Sequence, residues 1–363
     1  MSVRLDSRII YPILVFILIA SIVGIYTQKV TSAATEVKET LYISGYDMTI
    51  AVDPIKMEII EEIPIKGPNR DMTWTKDGQT LFVNSAGRQE VAVVNTIKNE
   101  VVDTLTFSEP SNQITARIFG IAVDEKGETL YATLMRTKRK PAELVPLDPI
   151  IAVMDLETKE VVKEIDVPVG THALQFLEDP TKLAVWAKDL YMLDLTTDEL
   201  TKYHELMLPS NPNEQGIANY LYFWNRDKES ANSLTAGMFK FFPDTEEVTE
   251  NIFMVDRKTA EVTDIELPEP IGLFSVVVTN DKKYAYGGMN YIHKIKLDTM
   301  EIESIVHEPG TSYGYNLSSD GQTLYVSGAG ADLSFIDTNS MEYKKILELP
   351  TDTMDIRVVQ VQQ

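Results

Sequence analysis

Few residue constellations in this 363-residue chain could carry covalent chemistry. Gly310-Thr311-Ser312-Tyr313-Gly314 has the Gly-x-Ser-x-Gly spacing of a hydrolase nucleophile. That spacing activates a serine only on a sharp turn from a strand into a helix. Here it runs into an alternating stretch that reads as a strand, so it is assigned to a loop and the strand it enters. Gly328-Ala329-Gly330 lacks the third glycine and the following helix of a dinucleotide site. Asn316-Leu317-Ser318 is a glycosylation sequon placed in the same predicted strand, where a glycan cannot be attached. The four histidines, His172, His204, His293 and His307, have no pair at metal-ligand spacing. Cysteine is absent. That excludes disulfides, thiolate zinc sites, cysteine nucleophiles, thiolate-ligated iron–sulfur clusters and covalently attached c-type haem on this polypeptide.

Binding chemistry is better represented. Arg136, Lys138, Arg139 and Lys140 cluster in a chain of formal net charge −22, with 33 basic and 55 acidic residues. Such a run is either a solvated loop tip or a docking point for a partner protein. The acidic balance argues against nucleic acid or an anionic lipid surface as the main partner. Trp74, Phe119, His172, Tyr222, Trp224, Phe274, Tyr313 and Tyr315 gather where predicted strands begin. Each either packs in a core or faces a ligand, since concave sites are few per protein. Arg70 and Arg117 stand with His172 as polar residues at the mouths of such strands.

The elements that must position these residues form a repeat. Thr80-Leu81-Phe82-Val83, Val91-Ala92-Val93-Val94-Asn95 and Glu100-Val101-Val102 recur in related form along the chain, as in Thr40-Leu41-Tyr42-Ile43 with Ile50-Ala51-Val52-Asp53. Seven units close an apolar strand with Asp or Asn, at 53, 95, 155, 194, 256, 298 and 337. Five positions later each has a glutamate: Glu58, Glu100, Glu160, Glu199, Glu261, Glu303 and Glu342. The alternating β-branched runs are strands, and the closing carboxylate or amide can accept from N–H groups of the turn that follows. The next strand mixes acids and lysines into its pattern, as an outermost strand does to discourage pairing with another chain.

The closing positions are spaced by 42, 60, 39, 62, 42 and 39 residues. Four of these gaps match a four-stranded propeller blade of about 40–45 residues. The other two carry insertions, one around Arg136 to Pro149 and one within Pro209 to Thr249. The first unit begins with its second strand, at Leu41, whereas Met354 to Val361 alternate without a unit of their own. The C-terminal strand therefore supplies the missing inner strand and closes an all-β, seven-bladed propeller without an open seam.

Ile9 to Tyr26 form an uncharged apolar run behind Arg4 and Arg8. It reads as a transmembrane signal anchor or a cleaved signal peptide, in either case sending residues 35–363 out of the cytoplasm. Residues 1–34 are thus separated from a propeller of residues 35–363 in the periplasm or on the outer face of the cell membrane. A hydrophobic fraction of 44% with 24% charged residues fits a globular domain.

Asp320-Gly321-Gln322-Thr323-Leu324-Tyr325-Val326 resembles the YVTN-type propeller repeats of extracytoplasmic proteins. Asp189-Leu190-Tyr191-Met192-Leu193-Asp194, Leu221-Tyr222-Phe223-Trp224 and Leu349-Pro350-Thr351-Asp352-Thr353-Met354, in that order and with the long fifth-blade insertion, are similar to the β subunits of quinohemoprotein amine dehydrogenases. The resemblance spans most of residues 40 to 361 as scattered short runs. It implies a non-catalytic propeller subunit that docks two partners and walls an amine pocket. One partner is a haem-bearing subunit with c-type haems, the other a small quinone-bearing subunit with cysteine tryptophylquinone. The alternative is a stand-alone membrane-anchored propeller that binds a protein or glycan.

Overall fold

The computed structural model describes residues 37–223 and 233–362. The apolar run at Ile9 to Tyr26, and with it the expected anchor or signal helix, lies outside the described residues. The compact unit is Glu39–Val361, and its described residues form seven antiparallel sheets, numbered here as blades in chain order. Blade 2 shows the plan: Met72–Trp74, Thr80–Ser85, Glu90–Asn95 and Glu100–Thr106, each paired with the next. Blade 3 comprises Ile114–Val123, Thr129–Lys140, Ile150–Asp155 and Glu160–Asp166, with Glu143–Pro146 added beside Thr129–Lys140. Blade 4 runs from Ala173–Phe176 to Glu199–His204, and blade 5 from Ile217–Phe223 to Val262–Glu266. Blade 6 runs from Ser275–Val278 to Glu301–His307, and blade 7 from Thr311–Leu317 to Tyr343–Glu348.

Blade 1 contains both ends of the unit. The order of its sheet is Glu58–Pro68, Val37–Asp53, Thr353–Gln362. The long Val37–Asp53 element reverses at Tyr46 and Asp47, where Asp47 has φ of 60°. The reversal explains why Leu41 and Ile43 share a core cluster with Ile50 and Val52, while Tyr42 shares another with Ala51. The C-terminal strand lies innermost, as the missing first strand required. Its Ile356 and Val358 pack towards Tyr325 and Phe335 of blade 7, and its Val359 and Val361 towards Met72 and Val83 of blade 2. Apolar layers of this kind separate successive sheets, and burying them drives the ring together.

Polar contacts fix the same closure. Asn316 of blade 7 donates from Nδ2 to the Ile356 carbonyl at 2.9 Å. Arg357, fully buried, pairs with Asp355 on its own strand at 2.7 Å and with Asp71 of blade 2 at 3.3 Å. Asn316 is itself buried, which places the sequon out of reach of glycosylation. Ser312 is also buried and lies in the strand Thr311–Leu317, not on a strand-to-helix turn.

The closing turns behave as their residues demand. Asp53 accepts from the N–H groups of Ile55 and Lys56, both at 3.0 Å, and Asp256 from those of Lys258 and Thr259, both at 2.8 Å. The residue four positions after the closing one takes a positive φ at Met57, Asn99, Lys159, Asp198, Ala260 and Met341. Blade 6 corrects the repeat. There Met300 holds the positive φ and Lys296 pairs with Glu301, so Lys296, not Asp298, closes the strand. Asp298 and Glu303 fit the sequence spacing only because the turn carries an aspartate and the outer strand a second acid two residues further on.

Candidate functional site

Strand direction sorts the charged residues between the two ends of the ring. The turns from first to second and from third to fourth strand all fall at one end, which carries Asp77, Asp124, Asp155, Asp194, Asp256, Asp281, Asp320 and Asp337. At the opposite end, around blades 2 to 4, cations and aromatic rings meet. The tight turn after Thr80–Ser85 sets Arg88 at φ 72°, and its guanidinium lies 4.1 Å from the centre of the Phe119 ring. A cation at that distance is attracted by the negative face of the ring. Arg117 reaches the same turn, donating from Nη1 to the Gly87 carbonyl at 3.1 Å while remaining exposed.

A register shift between Ile118 and Ile121 displaces Phe119 from the regular ladder. The polar groups released by the bulge are satisfied by neighbours: Asn84 donates to the Ile118 carbonyl at 2.9 Å, and Asp71 accepts from the Ile121 N–H at 3.0 Å. Gly120 lies under blade 4, where a Cβ would stand 2.7 Å from Ala173 Cα and 2.8 Å from the His172 carbonyl oxygen. Only glycine permits that approach. It brings the His172 backbone against Gly120 and the imidazole within reach of the Arg88 charge. Burial holds the His172 imidazole below its usual range; the Gly170 carbonyl, 3.0 Å from Nδ1, opposes this and the Arg88 charge reinforces it. The ring is therefore neutral at pH 7, with the Gly170 contact placing its proton on Nδ1.

The first insertion is a projecting hairpin. Thr129–Lys140 outruns the blade and turns at Pro141 and Ala142 into Glu143–Pro146, with Arg139 opposite Leu144. Alternation along the strand sends Met135, Thr137 and Arg139 to one face and Arg136 and Lys138 to the other. The first face, with Thr115, Arg117 and Phe119 from the inner strand and Lys140 from the tip, lines a groove of about 910 Å³. Within it Arg117, Arg139 and Lys140 oppose a single carboxylate, Glu143, which lies 3.0 Å from Lys140. Leu144, 68% exposed, adds an apolar contact at the rim. Arg136 is engaged elsewhere, bonding Glu164 of its own blade at 2.8 Å, and Lys138 is exposed.

The structure thus joins Arg117, Phe119, Arg139 and Lys140 in one groove, with Arg88 against the Phe119 ring and its charge felt by His172. Other residues singled out in the sequence lie apart. Arg70 is half-buried at the start of blade 2, donating its N–H to the Asn84 carbonyl at 2.9 Å. Trp74 and Tyr315 are buried in inter-blade cores. Phe274 is half-buried at the start of blade 6. Tyr222 and Tyr313 lie on the inner strands Ile217–Phe223 and Thr311–Leu317, and Trp224 lies outside the described residues. Arg88 was missed. Its signal in the sequence was the turn Ala86-Gly87-Arg88 between two strands of a blade, the same end of the ring that the Arg136 insertion occupies.

No family model and no curated protein matches the chain. Solved structures do. It is similar to dihydro-heme d1 dehydrogenase NirN in complex with DHE, with a TM-score of 0.56 and 15% identity over 89% of this chain and 75% of that one. It is similar to Kuenenia stuttgartiensis hydrazine synthase, with a TM-score of 0.55 and 14% identity over 84% of this chain and 90% of that one. A third is Citrobacter koseri AztD, with a TM-score of 0.54 and 14% identity over 90% and 98% of the two chains. At such identities the likeness is one of fold, and the fold is a seven-bladed β-propeller.

Proposed function

We propose that this chain is a non-catalytic propeller subunit of an extracytoplasmic, amine-oxidising dehydrogenase complex of the quinohemoprotein type. It docks a haem-bearing subunit and a small quinone-bearing subunit and walls the amine pocket, while the N-terminal apolar run is its signal anchor or signal peptide. The observation that carries this reading is the convergence of Arg88, Arg117, Arg139 and Lys140 around Phe119 on one end of an otherwise acidic ring. A cationic groove with an aromatic floor and an apolar rim suits the acidic surface of a protein partner, because complementary charge speeds encounter and fixes orientation. Composition agrees with that division of labour: a chain without cysteine cannot form cysteine tryptophylquinone or tether c-type haem, so in such a complex the redox groups belong to other chains. The fold fits a platform role, and two propellers of the same shape are named for a haem dehydrogenase and a hydrazine synthase.

The test is to isolate the full chain in mild detergent from its native cells and stain the resolved subunits for haem and for redox-cycling quinone. Both stains in stoichiometric partners, lost from an Arg139→Glu/Lys140→Glu double variant, support the proposal. A chain that purifies without either cofactor removes the dehydrogenase assignment.

A further inference from the structure

At the acidic end of the ring, remote in sequence from the groove, a second cavity of about 230 Å³ is bounded by inner strands and turns of blades 1 to 5. Its walls include Trp74, Phe176 and Pro180, with the Lys76 and Glu125 ion pair at 3.0 Å across blades 2 and 3. Arg257 enters it from the last turn of blade 5. Among the described residues this guanidinium makes no ion pair, although Asp194 and Asp256 serve the same end of the molecule. Its side chain makes one hydrogen bond, from Nε to the Phe176 carbonyl at 3.5 Å. Arg257 is half-buried, at a cavity whose lining carries a single carboxylate, Glu125. Its planar fork of donors matches a carboxylate, whose two oxygens it can hold in parallel. Lys76 is already neutralised by Glu125, which leaves the cavity one positive charge in excess.

We infer that this cavity is a binding site for a small monocarboxylate carried on a flat apolar body, an arylcarboxylate in class. The carboxylate sits on Arg257 and the body lies against Trp74, Phe176 and Pro180. A ring of six carbons with one carboxylate fits the volume, whereas a polyanion would bring more charge than a single arginine balances. An ammonium in place of the carboxylate would meet Arg257 as a like charge.

The test uses the full chain with benzoate as the probe, benzylamine as its cationic counterpart and inorganic phosphate as an anion without a ring. Ligand-observed saturation-transfer NMR and intrinsic tryptophan fluorescence read binding, since Trp74 borders the site. Saturable binding of benzoate, at least tenfold tighter than benzylamine or phosphate and weakened at least tenfold by Arg257→Gln, is the expected result. No saturable benzoate signal in the parent protein overturns the inference without reference to any variant. Equal binding of phosphate overturns the role of the apolar wall, and undiminished binding by Arg257→Gln overturns the role of the arginine. The Arg139→Glu/Lys140→Glu variant should bind benzoate as the parent does, so the outcome here is separable from the docking proposal.

Discussion

Replacing Arg357 with methionine tests the ring closure at its most charged point. Arg357 is fully buried on the innermost C-terminal strand, between Asp355 at 2.7 Å and Asp71 of blade 2 at 3.3 Å. Methionine fills much of the volume and removes the cation, leaving Asp355, itself fully buried, beside a second carboxylate. Breaking a buried pair from one side costs about 3–5 kcal/mol, because the stranded charge has lost its solvent and its partner. At about 2 °C per kcal/mol for a domain of this size, the midpoint of unfolding should fall by about 6–10 °C. Differential scanning calorimetry at pH 7 measures it. An Asp355→Asn/Arg357→Met double variant should recover much of the loss, since removing both charges removes the stranded one. A single variant melting within about 1 °C of the parent would refute the reasoning, because a buried pair broken from one side cannot be that cheap.

Further outcomes follow from individual contacts. Asn316→Ala removes the donor to the Ile356 carbonyl and should cost about 1–3 kcal/mol, read by chemical denaturation, with no glycan found on Asn316 in a glycosylating host. Gly120→Ala forces Cβ against Ala173 and should destabilise by about 1–3 kcal/mol through overpacking between blades 3 and 4. Asp337 is held at about 2 by the Ser340 N–H and by Lys344, and Asp281 at about 2 by Lys283 and the Thr279 hydroxyl. Both are depressed, so their stabilisation is present above the ordinary carboxylate value of 3.8 and is lost as pH falls towards about 2. Thermal melts should decline across that interval, less steeply for Asp337→Asn. Glu308 has the opposite sign: burial raises its carboxyl, partly offset by the Tyr343 and Ser334 hydroxyls. Its contribution is complete at low pH and lost as pH rises, so Glu308→Gln should melt above the parent at pH 7 and lose that advantage in acid.

Much of the fold was legible because a propeller repeats its physics. A closing Asp or Asn must bond the turn it begins, and the outer strand must carry charge, so both leave a period in the sequence. Lys296 shows the limit. The backbone needs only a positive φ at Met300, and a blade can meet that need without a closing carboxylate. The missing first strand and the orphan last one were legible because each alone would leave a seam. Site residues were harder. Arg117, Phe119 and the Arg139 hairpin were visible as types, but their convergence depends on the bulge at Ile118 to Ile121 and on Gly120 admitting blade 4. Tyr315 shares the sequence setting of Phe119 yet packs between blades, a distinction made by strand register. Arg257 gave no local sign, since what marks it is a cavity that five blades assemble in three dimensions.

The docking account is tested most directly by a photo-crosslinker placed at Thr137, on the groove-facing side of the blade 3 hairpin, in the native cell. A control position is Ile346, exposed on the outer strand of blade 7. The account predicts a single adduct from position 137 that stains for haem or quinone, and none from position 346. No adduct at 137, or the same adducts from both positions, would contradict it.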